Sequence, residues 1–369
     1  MTAGGSSSAA GASDLPDLNE MLVQVSELGG SDLHITVGRP PTMRLNGKLI
    51  AFDTRVLLPR DTKELLYSVM SQEQREVLER TWEFDFAHSI PGKARFRVNA
   101  YFQRGSVGSA FRLIPSEIKS FEQLGLPKAI EAFANRPRGF VLVTGPTGSG
   151  KSTTLASIID YINESRAVHI ITVEDPIEYL HTHKKAMVNQ REVGSDTKTF
   201  ADALKYILRQ DPDVILIGEL RDLETVQAAL TAAETGHLVF ATLHTQDATQ
   251  TVDRIIDVFP PHQQQQVRIQ LAGSLQGIVS QQLLPTLDGR ARVLAYEILV
   301  PTSAIRNLIR EGKTHQVPTA LQTGHQYGMI TMDESLADRY RRGLISYDTA
   351  LAQACDAGVL KQLLGKAGS

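Results

Sequence analysis

FVLVTGPTGSGKST, residues 140–153, joins an unbroken apolar run to a glycine-rich turn and then to Lys151, Ser152 and Thr153. The apolar run is too short for a helix and reads as a strand buried on both faces. Gly145, Pro146, Thr147, Gly148, Ser149, Gly150, Lys151 and Ser152 satisfy G-x-x-x-x-G-K-[ST] between that strand and a following helix. The glycines let the backbone curl so that successive N–H groups face a phosphate. The helix that begins at Ser152 turns its positive end toward the same anion. Lys151 is placed to reach the β- and γ-phosphates, and the Ser152 hydroxyl to ligate Mg²⁺. With Thr153, these residues are the expected ATP-binding set, and Mg²⁺ with ATP as substrate is what they imply.

Outward from this loop, strands and helices alternate. HIITVE (169–174), VILIG (214–218) and HLVFATL (237–243) are apolar runs. Between them lie two helical patterns, one carrying Phe200, Ala203, Leu204, Ile207 and Leu208 on a single face and one carrying Val226, Ala229, Leu230 and Ala233. Such alternation predicts an α/β domain with a mainly parallel sheet. Beyond Pro260 the pattern is mostly helical. Upstream, Leu18, Met21, Leu22, Val25 and Leu28 recur at helical spacing, and 61–80 also reads as helix. LHITV (33–37), MRLNGKLI (43–50, with an Asn-Gly turn) and a hairpin of 94–103 with 105–114 around Arg104-Gly105 make the first ~115 residues a small α+β domain. The expected divisions are a Gly/Ala/Ser-rich disordered tail at 1–16, a first domain at 17–114, a proline-marked linker at 115–127 and the ATP-binding domain at 128–369.

Several carboxylates point at the phosphate loop. VILIG delivers Glu219 to a strand's C-terminal end, where parallel sheets bind ligands; the bland alternative is a helix cap or a pair with Arg221. Glu174, Asp175 and Glu178 follow another strand end within five residues, a candidate cradle for metal and water. His237 and His244 bracket one strand seven residues apart. That odd separation puts them on opposite faces, so they do not share one ion; one of them is a candidate γ-phosphate sensor. Arg95, Arg97, Arg104 and Arg112 of the hairpin are candidate arginine fingers acting in trans, or else a solvated strand face.

Composition limits the alternatives. The 369 residues are 42% hydrophobic and 21% charged, ordinary values for a globular protein. The formal net charge of −3 supplies no basic field, so no nucleic-acid partner is expected. The one cysteine excludes an internal disulfide and a cysteine-rich zinc site. The first residues lack the basic and apolar regions of a secretory signal, and no apolar run approaches the ~18 residues of a membrane span. A cytoplasmic protein, at most peripheral to the membrane, is the expectation.

These pieces resemble the secretion-type ATPases, and within them the PilT-type pilus retraction ATPases, over nearly the whole chain. SDLHITVGRPPTMRLNG (31–47) resembles the opening of their PAS-like N-terminal domain. GPTGSGKST (145–153) resembles the Walker A of their RecA-like domain, ITVEDPIEY (171–179) the aspartate box, IGELRD (217–222) the atypical Walker B and TGHLVFATLHT (235–245) the histidine box. AIRNLIREGK (304–313) is similar to the signature of retraction motors, and 322–336 and 341–351 extend the likeness.

The resemblance implies a PAS-like α+β domain followed by a RecA-like P-loop domain with a helical C-terminal part. It implies Glu219 as the carboxylate that polarises water and Glu178 as support for Mg²⁺ and water. His237 and His244 would couple nucleotide state to domain position, and Arg97 and Arg112 are the preferred fingers, with Arg95 and Arg104 left open. It further implies a homohexameric motor for pilin depolymerisation and twitching motility, with an inner-membrane pilus platform protein and other pilus motor ATPases as partners. A related filament-assembly or secretion ATPase and a nucleotide-gated ring scaffold are the alternatives. Tyr296, in LAYEILV, stands where a smaller residue is expected before the AIRNLI helix.

Overall fold

The structure is a computed structural model that describes residues 17–115 and 117–365. The tail expected at 1–16 lies outside the described residues. The chain divides into two compact units, Met1–Ser116 and Glu117–Ser369. Within the stretch expected as a linker, Phe121–Leu124 forms a short helix of the second unit, and Phe121 stacks on Tyr161 with ring centroids 5.0 Å apart.

Six antiparallel strands build the sheet of the first unit: β1 (Asp32–Ile35), β2 (Thr42–Leu45), β3 (Lys48–Ala51), β4 (Glu83–Ile90), β5 (Ala94–Gln103) and β6 (Ser106–Ile114). Their order is β3-β2-β1-β6-β5-β4. Two of the hairpins turn at Asn46-Gly47 and Arg104-Gly105, all four residues having positive φ, as tight two-residue turns require. The helix Leu18–Glu27 opens on an Asp17 cap and buries Leu18, Met21, Leu22 and Val25, the face its spacing predicts; Leu28, just past its end, is exposed. The long helix expected over 61–80 is two, Pro59–Ser68 and Gln72–Thr81. Ser71 starts the second by accepting from the Gln74 amide, a capping box that restarts the chain in a new direction. Strand β4 was not foreseen: EFDF alternates, but Ala87 and His88 break the pattern, and this edge strand fully buries only Phe86.

The second unit holds a seven-stranded sheet: β7 (Gly139–Thr144), β8 (His169–Glu174), β9 (Met187–Glu192), β10 (Val214–Ile217), β11 (Leu238–Leu243), β12 (Leu275–Pro285) and β13 (Arg292–Leu299). The order is β13-β12-β7-β11-β10-β8-β9. All pairings are parallel except β12 with β13. Neighbouring residues of one strand feed different cores: Phe140 and Leu142 pack on one side of the sheet, Val141 and Val143 on the other. Each such side chain, fully buried, contributes ~1.5–3 kcal/mol, which is why these strands read as unbroken apolar runs.

The chain beyond Pro260 is mostly helical, as expected, with one unforeseen β-hairpin. After the helix Pro261–Ser274 the chain forms the β12–β13 hairpin, and only then continues as helices Ser303–Arg310, Val317–Gln322, Met332–Arg341, Tyr347–Ala352 and Ala357–Gly365. Buried Ser280 and Gln281 interrupt the apolar run of β12 and hide it in the sequence. No helix among the described residues is long and apolar enough to cross a membrane.

Candidate active site

Strand β7 ends at Thr144, whose hydroxyl donates to Ser280 Oγ at 2.9 Å and so ties the strand to β12. The next residue, Gly145, has φ of 141°. A Cβ there would lie 2.2 Å from the Gln281 carbonyl oxygen and 2.7 Å from Ser149 Oγ, so only glycine fits. Gln281 also donates from Nε2 to the Ser149 carbonyl at 2.8 Å. The helix Lys151–Ser165 then starts from Gly150 with no side chain capping its first amides. Those uncapped amides, with the helix dipole, are an anion site.

Lys151 donates from Nζ to the carbonyls of Gly145 (2.7 Å) and Pro146 (3.1 Å), folding its ammonium back over the loop. Burial lowers its pKa, while the charge of Glu219 pulls the other way. The loop opens onto a cavity of about 450 Å³ whose lining includes Lys151, Ser152, Glu174, Glu178, Glu219 and His244.

Glu219 follows β10 by two residues. Gly218 between them fits because a Cβ would come within 3.3 Å of Glu174 Cα and the Val173 carbonyl oxygen. That close approach of β8 accounts for a glycine at the end of the strand. The Glu219 carboxylate receives Arg221 at 2.8 Å on one oxygen and faces His244 Nε2 at 3.4 Å on the other. Burial pushes its pKa up, but the hydrogen bond and charge of Arg221, with His244 and Lys151, outweigh that and hold it below the ordinary value. The pairing with Arg221 anticipated as the bland alternative is therefore present, on a carboxylate that still faces the cavity. The helix cap falls instead to Asp222, which accepts from the Thr225 amide at 2.8 Å.

The loop after β8 separates its three carboxylates. Glu178 and Asp175 are exposed and line the cavity. Glu174, half-buried, lines it too, accepting from Thr172 Oγ1 at 2.7 Å and Gln190 Nε2 at 3.2 Å; burial raises its pKa despite those bonds. Tyr179 shares a hydrogen bond between its hydroxyl and Thr153 Oγ1 at 2.9 Å, joining this loop to the phosphate-loop helix.

The two histidines part company. His244, just past the C-terminal end of β11, lines the cavity. His237 precedes the other end of that strand, its ring Nδ1 2.9 Å from the Ala232 carbonyl oxygen, and does not line it. The strand's length, beyond side-chain parity, sets them apart. Arg97 and Arg112 stand opposite each other on β5 and β6 of the first unit. Arg112 donates from Nε to Asp32 at 2.9 Å, and Arg97 is exposed. Arg95 donates to Ser89 Oγ at 3.1 Å, and Arg104 occupies the hairpin turn.

Sequence reasoning missed Gln281 and Gln190. A polar pair inside the apolar run VSQQLL was the available signal for the first. The AIRNLI helix turns its apolar face inward, with Ile305 and Ile309 fully buried. Its Arg306 donates to the carbonyls of Ala272, Gly273 (3.2 Å) and Leu275 (2.8 Å), closing the end of helix Pro261–Ser274. Tyr296 docks a different element: the Arg339 guanidinium sits 5.3 Å from its ring centroid.

A phosphate loop at the carboxyl ends of a parallel sheet, facing a glutamate at the tip of β10, defines a P-loop ATPase. The family model for type II/IV secretion system proteins matches residues 16–331, and the chain belongs to that family. It is 49% identical over 338 residues to the "Type IV pilus retractation ATPase PilT" of Pseudomonas aeruginosa, covering 92% of this chain and 98% of that one. A "Twitching motility protein" of Neisseria gonorrhoeae is 50% identical over 314 residues, 85% of this chain and 84% of its own. A crystal structure of the pilus retraction motor PilT with bound ADP superposes with a TM-score of 0.88 at 53% identity, covering 94% of this chain and 99% of that one.

Proposed function

We propose that this ATPase is the motor that retracts type IV pili, depolymerising pilin and so driving twitching motility. What carries the reading is a likeness to retraction ATPases that runs through both units at about half identity, the AIRNLIREGK segment included. The working form is a homohexamer at the cytoplasmic face of the inner membrane, acting on a membrane-embedded platform protein. A protein contact of that kind requires no membrane span. Other pilus motor ATPases are further candidate partners, and nucleic acid is not one.

Within the second unit, Gly145–Thr153 hold the phosphates and Lys151 counters their charge. Glu219 is the carboxylate that orients and polarises the attacking water. Its lowered pKa suits a group that must be ionised to accept a proton. Ser152 and Glu178, both exposed oxygen donors on the same cavity, fit Mg²⁺, a hard cation that takes its other ligands from phosphates and water. Among the described residues no three histidine, cysteine or acidic side chains gather to hold a metal unaided. When bound, Mg²⁺ neutralises charge on the β- and γ-phosphates. His244, beside Glu219, registers whether the γ-phosphate is present. For His237 the role is coupling to domain position, away from the chemistry. Arg97 and Arg112 on the first unit, assigned to the PAS-like domain 17–114, are the arginines offered to a neighbour's nucleotide; ATP binding closes the domains and hydrolysis reopens them.

Deletion of the gene tests the whole reading. Hyperpiliated cells that do not twitch are expected. Bald cells would mark an assembly ATPase, and normal piliation with normal twitching would remove the motor role.

A further inference from the structure

The residues on either side of Glu178 are tied down from β9. Gln190 and Glu192 are two apart on this edge strand and so share a face. Gln190 uses its whole amide: Nε2 donates to Glu174 Oε1 at 3.2 Å and to the Tyr179 carbonyl at 2.8 Å, while Oε1 accepts from the His181 amide at 2.8 Å. Glu192, buried, accepts from the Ile177 amide at 3.0 Å. Residues 177 and 179, on either side of Glu178, are therefore each held, and His181 beyond them is held as well. The Tyr179 hydroxyl on Thr153 fastens the same loop to the phosphate-loop helix.

We propose that Gln190 and Glu192 are positioning residues for hydrolysis, setting the backbone from which Glu178 reaches the metal and water side of the cavity. Neither lines the cavity itself; each acts through loop groups, and Gln190 also through the Glu174 carboxylate. This rests on the assignment of Glu178 made above. The amide of Gln190 is well suited to the task because, uncharged and at any pH, it both donates to a carbonyl and accepts from an N–H. Orientation of this kind is costly to lose, since a displacement of ~1 Å at a reacting group slows an enzyme ~100-fold.

Substitutions at three positions test it. Gln190→Met removes all three hydrogen bonds at nearly constant volume. It is expected to lower kcat ~10–100-fold, to speed backbone amide exchange across 177–182, and to leave ADP affinity in EDTA at the parent value, because the phosphate loop is untouched. Gln190→Glu keeps the acceptor for His181 but donates only when protonated. Its kcat relative to the parent is expected to recover as pH is lowered, as the new carboxyl beside Glu174 takes up a proton. A parent-like kcat in Gln190→Met, a pH-independent ratio for Gln190→Glu, or ADP affinity falling in step with kcat would each overturn the proposal. Glu178→Gln separates this from the reading beneath it: parent-like turnover there removes the Glu178 assignment itself. Should Gln190→Met not fold, Glu192→Gln, which retains an acceptor for Ile177, must exceed Glu192→Leu in kcat by ~10-fold; equal rates would overturn the proposal.

Discussion

The imidazole Nε2 of His244 lies 3.4 Å from Oε1 of Glu219, linking the residue just past β11 to the carboxylate that follows β10. Both strands are buried and pair in parallel, Ile217 opposite Ala241, so the two side chains leave the sheet at the same edge. With Arg221 on the other oxygen, the carboxylate is held ionised between two nitrogen groups. Any group that replaces either partner, a γ-phosphate or a water among them, changes the charge balance at Glu219 directly.

Replacing Arg221 with glutamine is expected to move the acid limb of the ATPase profile upward. Arg221 supplies the leading lowering influence on Glu219, against burial, which raises it. In the parent this group keeps its charge to lower pH than an ordinary carboxylate does. Without the guanidinium, burial is opposed only by His244 and Lys151, and protonation starts at higher pH. Steady-state kcat between about pH 4 and 8, with folding monitored alongside, checks the direction.

Gly145→Ala is expected to abolish nucleotide binding while the first unit stays folded. The added methyl would meet the Gln281 carbonyl oxygen at 2.2 Å, and a backbone atom of a central strand cannot yield as a side chain can. Titration with fluorescent ADP, and the unfolding transition of each unit, measure the two parts of this expectation.

The phosphate loop was legible because its chemistry is local: strand, loop and helix lie within 27 consecutive positions, 139–165. Strands β8, β10 and β11 were equally clear, since burial on both faces leaves an unbroken apolar run. Strands β9 and β12 were not. MVNQRE spends its side chains on fixing the Glu178 loop, and β12 buries Ser280 and Gln281 against β7 and the phosphate loop. Both strands lose their alternation to work done elsewhere in the fold. The seven-residue spacing of His237 and His244 gave their separation but not its meaning, which is that only one end of β11 meets the cavity.

Glu297 yields a stability prediction with a definite sign. Burial pushes its carboxyl up to about 7, with the charges of Asp247 and Asp333 adding to the rise and the Ala248 and Met332 amides opposing it. Between the ordinary 4.5 and about 7, the folded chain keeps a proton that the unfolded chain has lost. Stability contributed by this group therefore falls as pH rises through that window and is level above it. Glu297→Gln keeps an oxygen for the Ala248 amide, which Glu297 accepts from at 2.8 Å, and removes the titration. Thermal midpoints at about pH 5 and about pH 7.5 should fall less between the two for Glu297→Gln than for the parent. Asp333, also raised by burial, leaves a residual slope.

Arg306→Ala is expected to destabilise the second unit by ~1–3 kcal/mol, because carbonyls at the end of helix Pro261–Ser274 and at Leu275 lose a charged donor. Arg306→Lys should not restore the loss, since an ammonium does not reproduce the planar fork. Arg310→Ala, at an exposed position of the same helix, should leave the thermal midpoint at the parent value. A denaturant titration of the three variants distinguishes a fold-closing arginine from a surface one, and so divides the AIRNLI segment into residues that hold the structure and residues available to a partner.

The most direct test is ATP turnover by Glu219→Gln alongside ATP binding by the same protein. The variant should bind ATP as the parent does and hydrolyse it at least ~100-fold more slowly, because the amide cannot take a proton from water. Hydrolysis at the parent rate would contradict the account at its centre.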